Sequence, residues 1–435
     1  MKIVQLTPGA GGMYCGNCLR DNALVAALRR AGHAVTLLPL YLPLKTDEAD
    51  ESRGAPVFFG GINVYLEQQA AFFRRMPRWL HGWLASPRLL RWIGTAAAKT
   101  RPEQVGDLTL SMLQGELGNQ AREVDELVAW LATHERPDIV HLSNGLLAGM
   151  IRRLRRDLGT RVAVTLQGED SFLDALPLAN RQRAWSLVGE RLAEADLLVA
   201  PSRYYAARIA SRTGLDEGRI RILPNGISLA GWQVALAPPA PPVLGYLARF
   251  CPEKGLDRLV EAFLLLRRRG RVPGLRLHAG GSCGPSDQPF LEDLKRRLRS
   301  ADAMGDVEFH PNLTHEGKQS FLRCLSVFSV PAHYGEAFGL YLLEAMAAGV
   351  PVVQPRTGAF PELLADTGGG MLCAADDVES LASVLEQVLT EPGLSARLGR
   401  AGRAAVEQRY HSDAAARRLV DLFAGLQPAS ASVTA

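Results

Sequence analysis

The pattern of this chain predicts an α/β protein of two doubly wound, Rossmann-like domains facing across a cleft. Three observations carry that expectation. Short β-branched runs alternate with helical stretches along most of the 435 residues, which is how parallel sheets covered on both faces read. The alternation pauses at residues 233–242 (QVALAPPAPP), where four prolines cannot continue a helix or a central strand and so mark a linker. It then restarts, leaving two halves of similar length, each of domain size (roughly 100–200 residues).

In chain order, residues 2–6 (KIVQL) are a first strand. The run is too short for a signal peptide and has no small-residue cleavage site behind it. Residues 22–30 (NALVAALRR) carry apolar positions at three- and four-residue spacing, the mark of a helix. A strand at 34–38 follows. Residues 44–118 then break the rhythm and read as a helical insertion in the first domain. Within it, residues 68–102 hold seven basic side chains (Arg74, Arg75, Arg78, Arg88, Arg91, Lys99, Arg101), no acidic one, and Trp79, Trp83 and Trp92. That mixture suits contact with an anionic membrane surface or an amphiphilic acceptor. An ordinary helical subdomain with a tryptophan core fits the same residues. Strands at 138–142, 161–166 and 197–200 and a helix at 203–211 complete the first domain, 1–235. The second, 236–410, has strands at 243–247, 275–279, 307–310, 327–330 and 350–354. A C-terminal helix, 411–427, is expected to pack back on the first domain, ahead of a frayed tail of small residues at 428–435.

Composition excludes several classes. Apolar residues make up 47% and charged residues 22% of the chain, as in an ordinary globular protein. A net charge of +4 is not the global basic footprint of a nucleic-acid binder, and no nucleic-acid partner is expected. The longest charge-free stretch, 222–248, is broken by five prolines and three glycines, so it is no membrane span. Six irregularly spaced cysteines suit a reducing, cytoplasmic setting. Cys15 and Cys18 form a CxxC at a helix start, where a redox pair and a pair of packed small residues both fit.

The strongest chemical signal is the string PAHYGEAFGLYLLEAMAAGVPVV at 331–353. A strand end, a loop with two glycines and a run of helix formers together build an anion site from backbone N–H groups and the helix dipole. Glu336 lies on that loop and Glu344 one turn past Leu340. A carboxylate beside a phosphate site is electrostatically poor unless it binds something neutral and hydroxyl-rich, and sugar hydroxyls fit. The second signal is GYLARFCPEKGL at 245–256, which puts Arg249 and Lys254 at the carboxyl edge of a sheet, where open α/β folds bind ligands. Two cations there can hold a diphosphate and its developing charge, the task a metal performs elsewhere.

Together these motifs resemble the family 4 retaining glycosyltransferases of GT-B fold, the glycosyl transferases group 1. The resemblance extends to Gly9-Ala10-Gly11-Gly12, to Gly32-His33-Ala34-Val35, to Leu223-Pro224-Asn225-Gly226-Ile227 and to Gly358-Ala359-Phe360-Pro361-Glu362. It implies that Arg249 and Lys254 bind the donor diphosphate and that Glu336 meets the transferred sugar. It places the phosphate on amides around Phe338, Gly339 and Leu340, and the nucleoside ribose on Glu344. Gly11 and Gly12 belong to the first Gly-rich loop, and His141, Gln167 and Asn225 are further substrate candidates. A hydrogen-bonded structural role for His141 fits its strand-end position equally. The implied enzyme is a metal-independent hexosyltransferase of polysaccharide or glycolipid biosynthesis. Its donor would be a UDP-, GDP- or ADP-sugar, and its acceptor a sugar, a lipid-linked sugar or another hydroxyl compound.

Two departures qualify the resemblance. Gln167 stands where the family often has histidine, so a titrating base is excluded at that position. Ser228 replaces the usual aspartate after Asn-Gly-Ile. Two other functions fit a chain of this architecture: a nucleotide-sugar epimerase, which needs acid–base groups in the cleft, and a non-catalytic sugar-nucleotide binding protein.

Overall fold

The computed structural model describes residues 1–9, 16–44, 46, 48–58, 102–235 and 239–426. Residues 59–101, with the basic and tryptophan-rich stretch, lie outside the described residues, as do Gly11, Gly12, Cys15 and the tail from 427. The chain divides into two compact units, Met1–Leu223 with Ala416–Ala435, and Pro224–Ala415.

The first unit is a six-stranded parallel sheet. Its strands are β1 (Lys2–Thr7), β2 (Ala34–Pro39), β3 (Ile139–Leu142), β4 (Arg161–Thr165), β5 (Leu197–Ala200) and β6 (Ile220–Ile222). They run in the order β2-β1-β3-β4-β5-β6. β3 and β5 are buried at every position, which is why β5 reads as an unbroken apolar run and β3 as one interrupted only by His141, rather than as alternating strands. β6 (IRI) is an edge strand with two exposed residues and has no such run. The C-terminal helix Ser412–Ala424 brings Phe423 edge-on to the His141 ring (5.7 Å), and Arg161 Nη1 donates to the Leu426 carbonyl (2.7 Å).

The second unit repeats the plan with β7 (Val243–Leu247), β8 (Arg276–Gly281), β9 (Val307–Pro311), β10 (Val327–Phe328), β11 (Val352–Pro355) and β12 (Gly370–Cys373). The order is β12-β11-β10-β7-β8-β9, again parallel. Leu244, Tyr246, Phe263, Leu277, Phe328 and Leu342 are fully enclosed in its core. β10 is shorter than the apolar run 327–330 suggests. Ser329 N–H still reaches the Gly245 carbonyl (2.9 Å), but the chain then turns tightly, with Ala332 N–H on the Val330 carbonyl (2.8 Å). That turn delivers the loop carrying Glu336. Of the insertion, the described part holds the helix Pro102–Gln114 and the short turn Gly115–Leu117. No described helix is long and apolar enough to cross a membrane.

Candidate active site

In the second unit, two loops after adjacent strands β7 and β10 carry the charged residues. The first is anchored on both sides of Arg249. The buried Tyr246 hydroxyl donates to the Arg249 carbonyl (2.9 Å), and Phe250, fully enclosed, donates its N–H to Ser282 (2.9 Å). The Arg249 guanidinium is clasped by Asp287 through Nε (3.0 and 3.1 Å) and Nη2 (2.8 Å), with Ser286 Oγ at 3.3 Å. Burial works to raise the Asp287 pKa, but the Arg249 hydrogen bonds and the Gly284 N–H outweigh it, and the carboxyl lies below its usual range. Arg249 therefore remains half-exposed while its orientation is set from a buried base.

Gly255, at φ 73°, closes the turn after Lys254. A side chain there would strike the Pro331 carbonyl, so glycine is what lets this turn lie against the β10 loop. The contact puts Lys254 into a polar cluster. Its ammonium pairs with Glu336, donates to the Tyr334 hydroxyl (2.5 Å), and lies 5.0 Å and 5.7 Å from the Tyr334 and Tyr341 ring centres. The two tyrosine hydroxyls also donate to Glu336 Oε1, at 3.0 and 3.1 Å. Desolvation alone would lower the Lys254 pKa, yet the Glu336 charge wins and raises it, so Lys254 is charged at any physiological pH. Burial and then the same carboxylate push Tyr334 and Tyr341 up, holding both as hydrogen-bond donors.

Glu336 is itself pinned through its backbone. Its carbonyl accepts from Ala359 N–H (3.0 Å). Gly358, at φ 57°, comes so near that a Cβ would fall 2.5 Å from Glu336 N and 2.7 Å from its O. Beyond it, Phe338 is buried against Tyr410 (6.3 Å between rings), and Gly339, at φ 91°, opens the helix Leu340–Ala347. Gly339 offers no side-chain cap, so the first amides of this helix remain available for an anion. Glu344, on the second turn, receives Lys318 Nζ (2.7 Å) from the helix His315–Arg323.

The structure thus joins Lys254 directly to Glu336, sets Arg249 on Asp287, and gives Glu344 a separate partner. Asp287, Tyr334, Tyr341 and Lys318 escape sequence reading: Asp287 meets Arg249 from 38 positions away, Lys318 meets Glu344 from 26 and Tyr334 meets Lys254 from 80, while Tyr341 is placed only by its bond to Glu336. The proximity of Tyr334 and Tyr341 to Glu336 in the string is the one available hint.

In the first unit, Gln167 is buried beside Arg20. With the amide oriented by its partners, its oxygen accepts from the Arg20 guanidinium and its nitrogen donates to Asn17 Oδ1 (3.2 Å). Arg20 also pairs with the fully buried Asp21 and donates to the Ser143 carbonyl (3.2 Å). Desolvation raises the Asp21 pKa against the opposing pull of Arg20. Adjacent opposite charges in a helix usually face solvent, so nothing in the sequence marks the Arg20–Asp21 pair as buried. Beneath Gln167, Glu169 accepts from the amides of Gln167 (2.7 Å) and Gly145 (2.6 Å) and from Tyr205 (2.6 Å). His141 is fully buried, with Nε2 2.7 Å from Thr165 Oγ1. Burial, then Arg20, pulls its pKa down to about 3, so the ring is neutral. Asn225, buried, opens the second unit where Ile227 N–H bonds the Tyr410 carbonyl (3.0 Å). Cys18 is buried in the helix Gly16–Arg30.

Two family sequence models match the chain in succession. "Glycosyl transferase 4-like domain" covers residues 22–226, and "Glycosyl transferases group 1" covers 233–405. Among curated proteins, the chain is 30% identical over 282 residues to a glycogen synthase of Mycobacterium tuberculosis, spanning 64% of this chain and 65% of that protein. It is 28% identical over 293 residues to a GDP-mannose-dependent alpha-(1-6)-phosphatidylinositol monomannoside mannosyltransferase of Mycolicibacterium smegmatis, spanning 63% of this chain and 73% of that one. Among solved structures, the sucrose-phosphate synthase of Thermosynechococcus elongatus superposes with a TM-score of 0.70 at 18% identity, covering 98% of each chain. Anabaena HepE in complex with UDP does so at 0.68 and 15% identity, covering 98% of this chain and 100% of that one.

Proposed function

The chain belongs to the glycosyl transferases group 1 family, and from that membership we propose that it moves a hexose from a nucleoside-diphosphate sugar to a hydroxyl acceptor with retention of anomeric configuration. The observation that carries the reading is the Lys254–Glu336 pair. A charged lysine is held at the mouth of an uncapped helix by a carboxylate that two tyrosine hydroxyls also address.

In this reading Arg249 and Lys254 take the diphosphate, aided by the amides at Gly339 and Leu340. When the bond between the anomeric carbon and the phosphate oxygen breaks, its electron pair goes to the β-phosphate. Fixed cations stabilise that state more than the ground state. The acceptor oxygen forms the new bond on the same face, and its proton passes to the departing phosphate. The protein supplies no nucleophile. Its part is positioning and stabilisation of the leaving group. Glu336 would exchange part of its contact with Lys254 for sugar hydroxyls, and Glu344 would hold the ribose. Gln167, held by Arg20, is a fixed hydrogen-bonding amide of the first unit. The donor is a UDP-, GDP- or ADP-sugar, and the acceptor a sugar or lipid-linked sugar, met in the cytoplasm or at a membrane surface reached through residues 68–102.

A thermal-shift screen of the purified chain against UDP-, GDP- and ADP-sugars tests the reading. A donor at about 100 times its Kd adds ~2.7 kcal/mol of stability. The donor that stabilises should then release its nucleotide only when an acceptor is added. Release of an isomerised sugar without acceptor would replace the proposal with epimerisation, and binding without turnover would replace it with a sensor.

A further inference from the structure

The geometry points to a divalent zinc-class metal site on the outer edge of the second sheet, built by His278, Glu308 and His310, which no part of the sugar chemistry uses. The parallel register pairs His278 with Glu308 and Gly280 with His310. Alternate residues of a strand share a face, so all three side chains project from the same side of β8 and β9. Glu308 lies between the histidines: its carboxylate oxygens are 3.7 Å from His278 Nε2 and 3.2 Å from His310 Nε2. One ligand atom from each residue lies within 4.8 Å of the other two. Both Nε2 atoms are shielded from water and make no hydrogen bond among the described residues. The His310 ring is backed by the edge of Phe321 (5.4 Å) and the His278 side chain is only 15% exposed, so the histidines are held while Glu308, at 54%, can swing in.

Two imidazoles and one carboxylate are a zinc ligand set, with metal–ligand distances of about 2.0–2.2 Å and a fourth position for water. Imidazole-rich sites also favour zinc over magnesium or calcium, which prefer all-oxygen shells. The Glu308 oxygens already stand 3.7 and 3.2 Å from the two Nε2 atoms, so reaching that spacing asks for side-chain adjustment, of the rings as well as of Glu308, and not for movement of the strands. β9 is the last strand of its sheet, laddered on one side only. A metal joining His278 on β8 to Glu308 and His310 on β9 would clip this strand down and offset the imidazole nitrogens left without partners. The site stands apart from the sugar chemistry: the three residues lie on strands, and Arg249, Lys254 and Glu336 on loops.

The test uses the full-length, untagged chain, stripped with a chelator and titrated with zinc chloride against a chromophoric competitor, with cobalt chloride as a spectroscopic probe. One saturable zinc per chain is expected, with visible cobalt d–d bands. His278→Ala and His310→Ala should each weaken zinc binding at least roughly tenfold, the lower end for losing even a supporting group of a metal ligand, and should abolish the cobalt bands. Glu308→Gln, at an exposed position that the fold tolerates, should weaken binding as well. His33→Ala, in the other unit, should change nothing. Absence of saturable zinc in the wild type, or unchanged affinity in Glu308→Gln and in whichever histidine variant folds, overturns the assignment.

Discussion

Lys254 and Glu336, 82 positions apart in sequence, form one ion pair whose carboxylate also accepts from two tyrosine hydroxyls. Truncating either partner leaves the other buried without its counter-charge, so each substitution acts on more than one atom of the site. Lys254→Ala should lower kcat by roughly 10²–10³, the scale of removing one donor to a developing oxyanion. Donor Kd should rise by less. Steady-state rates with calorimetric donor binding check this, and a Kd effect that exceeds the kcat effect would reverse the assignment.

Glu336→Ala should mainly slow transfer, whereas Glu344→Ala should mainly weaken donor binding. The first carboxylate addresses the cation cluster and the second is held by Lys318, deeper along the helix. Hydrogen bonds to charged groups are worth roughly 1.5–3 kcal/mol, so each effect is measurable. Unchanged kcat/KM in both variants would remove both residues from the site.

Asp287 is a positioning residue for Arg249. Asp287→Asn should raise donor Kd less than Arg249→Ala does, and the double variant should be no worse than Arg249→Ala alone. A carboxylate that merely supported its loop would instead add its cost to that of the arginine. A double-mutant cycle on donor binding separates the two cases.

His141 gives the first unit an acid sensitivity with a defined sign. Its folded pKa of about 3 lies below the ordinary value of 6.5, so the unfolded chain binds the extra proton between those values. Stability is therefore fully present above pH 6.5 and falls by about 1.4 kcal/mol per unit as pH drops toward 3. Calorimetric unfolding at pH 7.0 and 5.5 should show a larger loss in the wild type than in His141→Gln. Equal losses would mean that the imidazole titrates normally.

Chelation separates chemistry from architecture. With Arg249 and Lys254 on the leaving group, EDTA should leave the transfer rate unchanged while lowering the melting temperature of the zinc-loaded chain. Loss of activity on EDTA treatment, restored by magnesium or manganese, would show that the two cations do not suffice.

The interior strands were legible because burial on both faces leaves a plain apolar signal: 197–200 and 243–247 coincide with β5 and β7 residue for residue. The edge strands β6 and β12 were not. Ile220–Ile222 exposes an arginine, and Gly370–Cys373 is opened by a glycine and barely enclosed. At the site, sequence reading reached the charges but not their pairing. Nothing local to Lys254 announces Glu336, and nothing local to Arg249 announces Asp287, since both contacts depend on which loops the sheet order brings together. The row of His278, Glu308 and His310 was hidden for the same reason, being visible only once β8 and β9 are in register.

The close approach of Gly358 to Glu336 has a consequence for how sequence change would be tolerated. The peptide that orients the carboxylate belongs to a different segment, the turn leading into the helix Phe360–Thr367, and it has room for hydrogen alone. On the proposed function, Gly358 thus governs a sugar-facing side chain through the backbone alone. In a saturation library scored on turnover, position 358 would be grouped with Lys254 and Glu336, although nothing about glycine suggests chemistry. A helix boundary that looks like scaffold therefore belongs to the heritable definition of the enzyme's activity, and drift there would be purged as firmly as drift at the charges themselves.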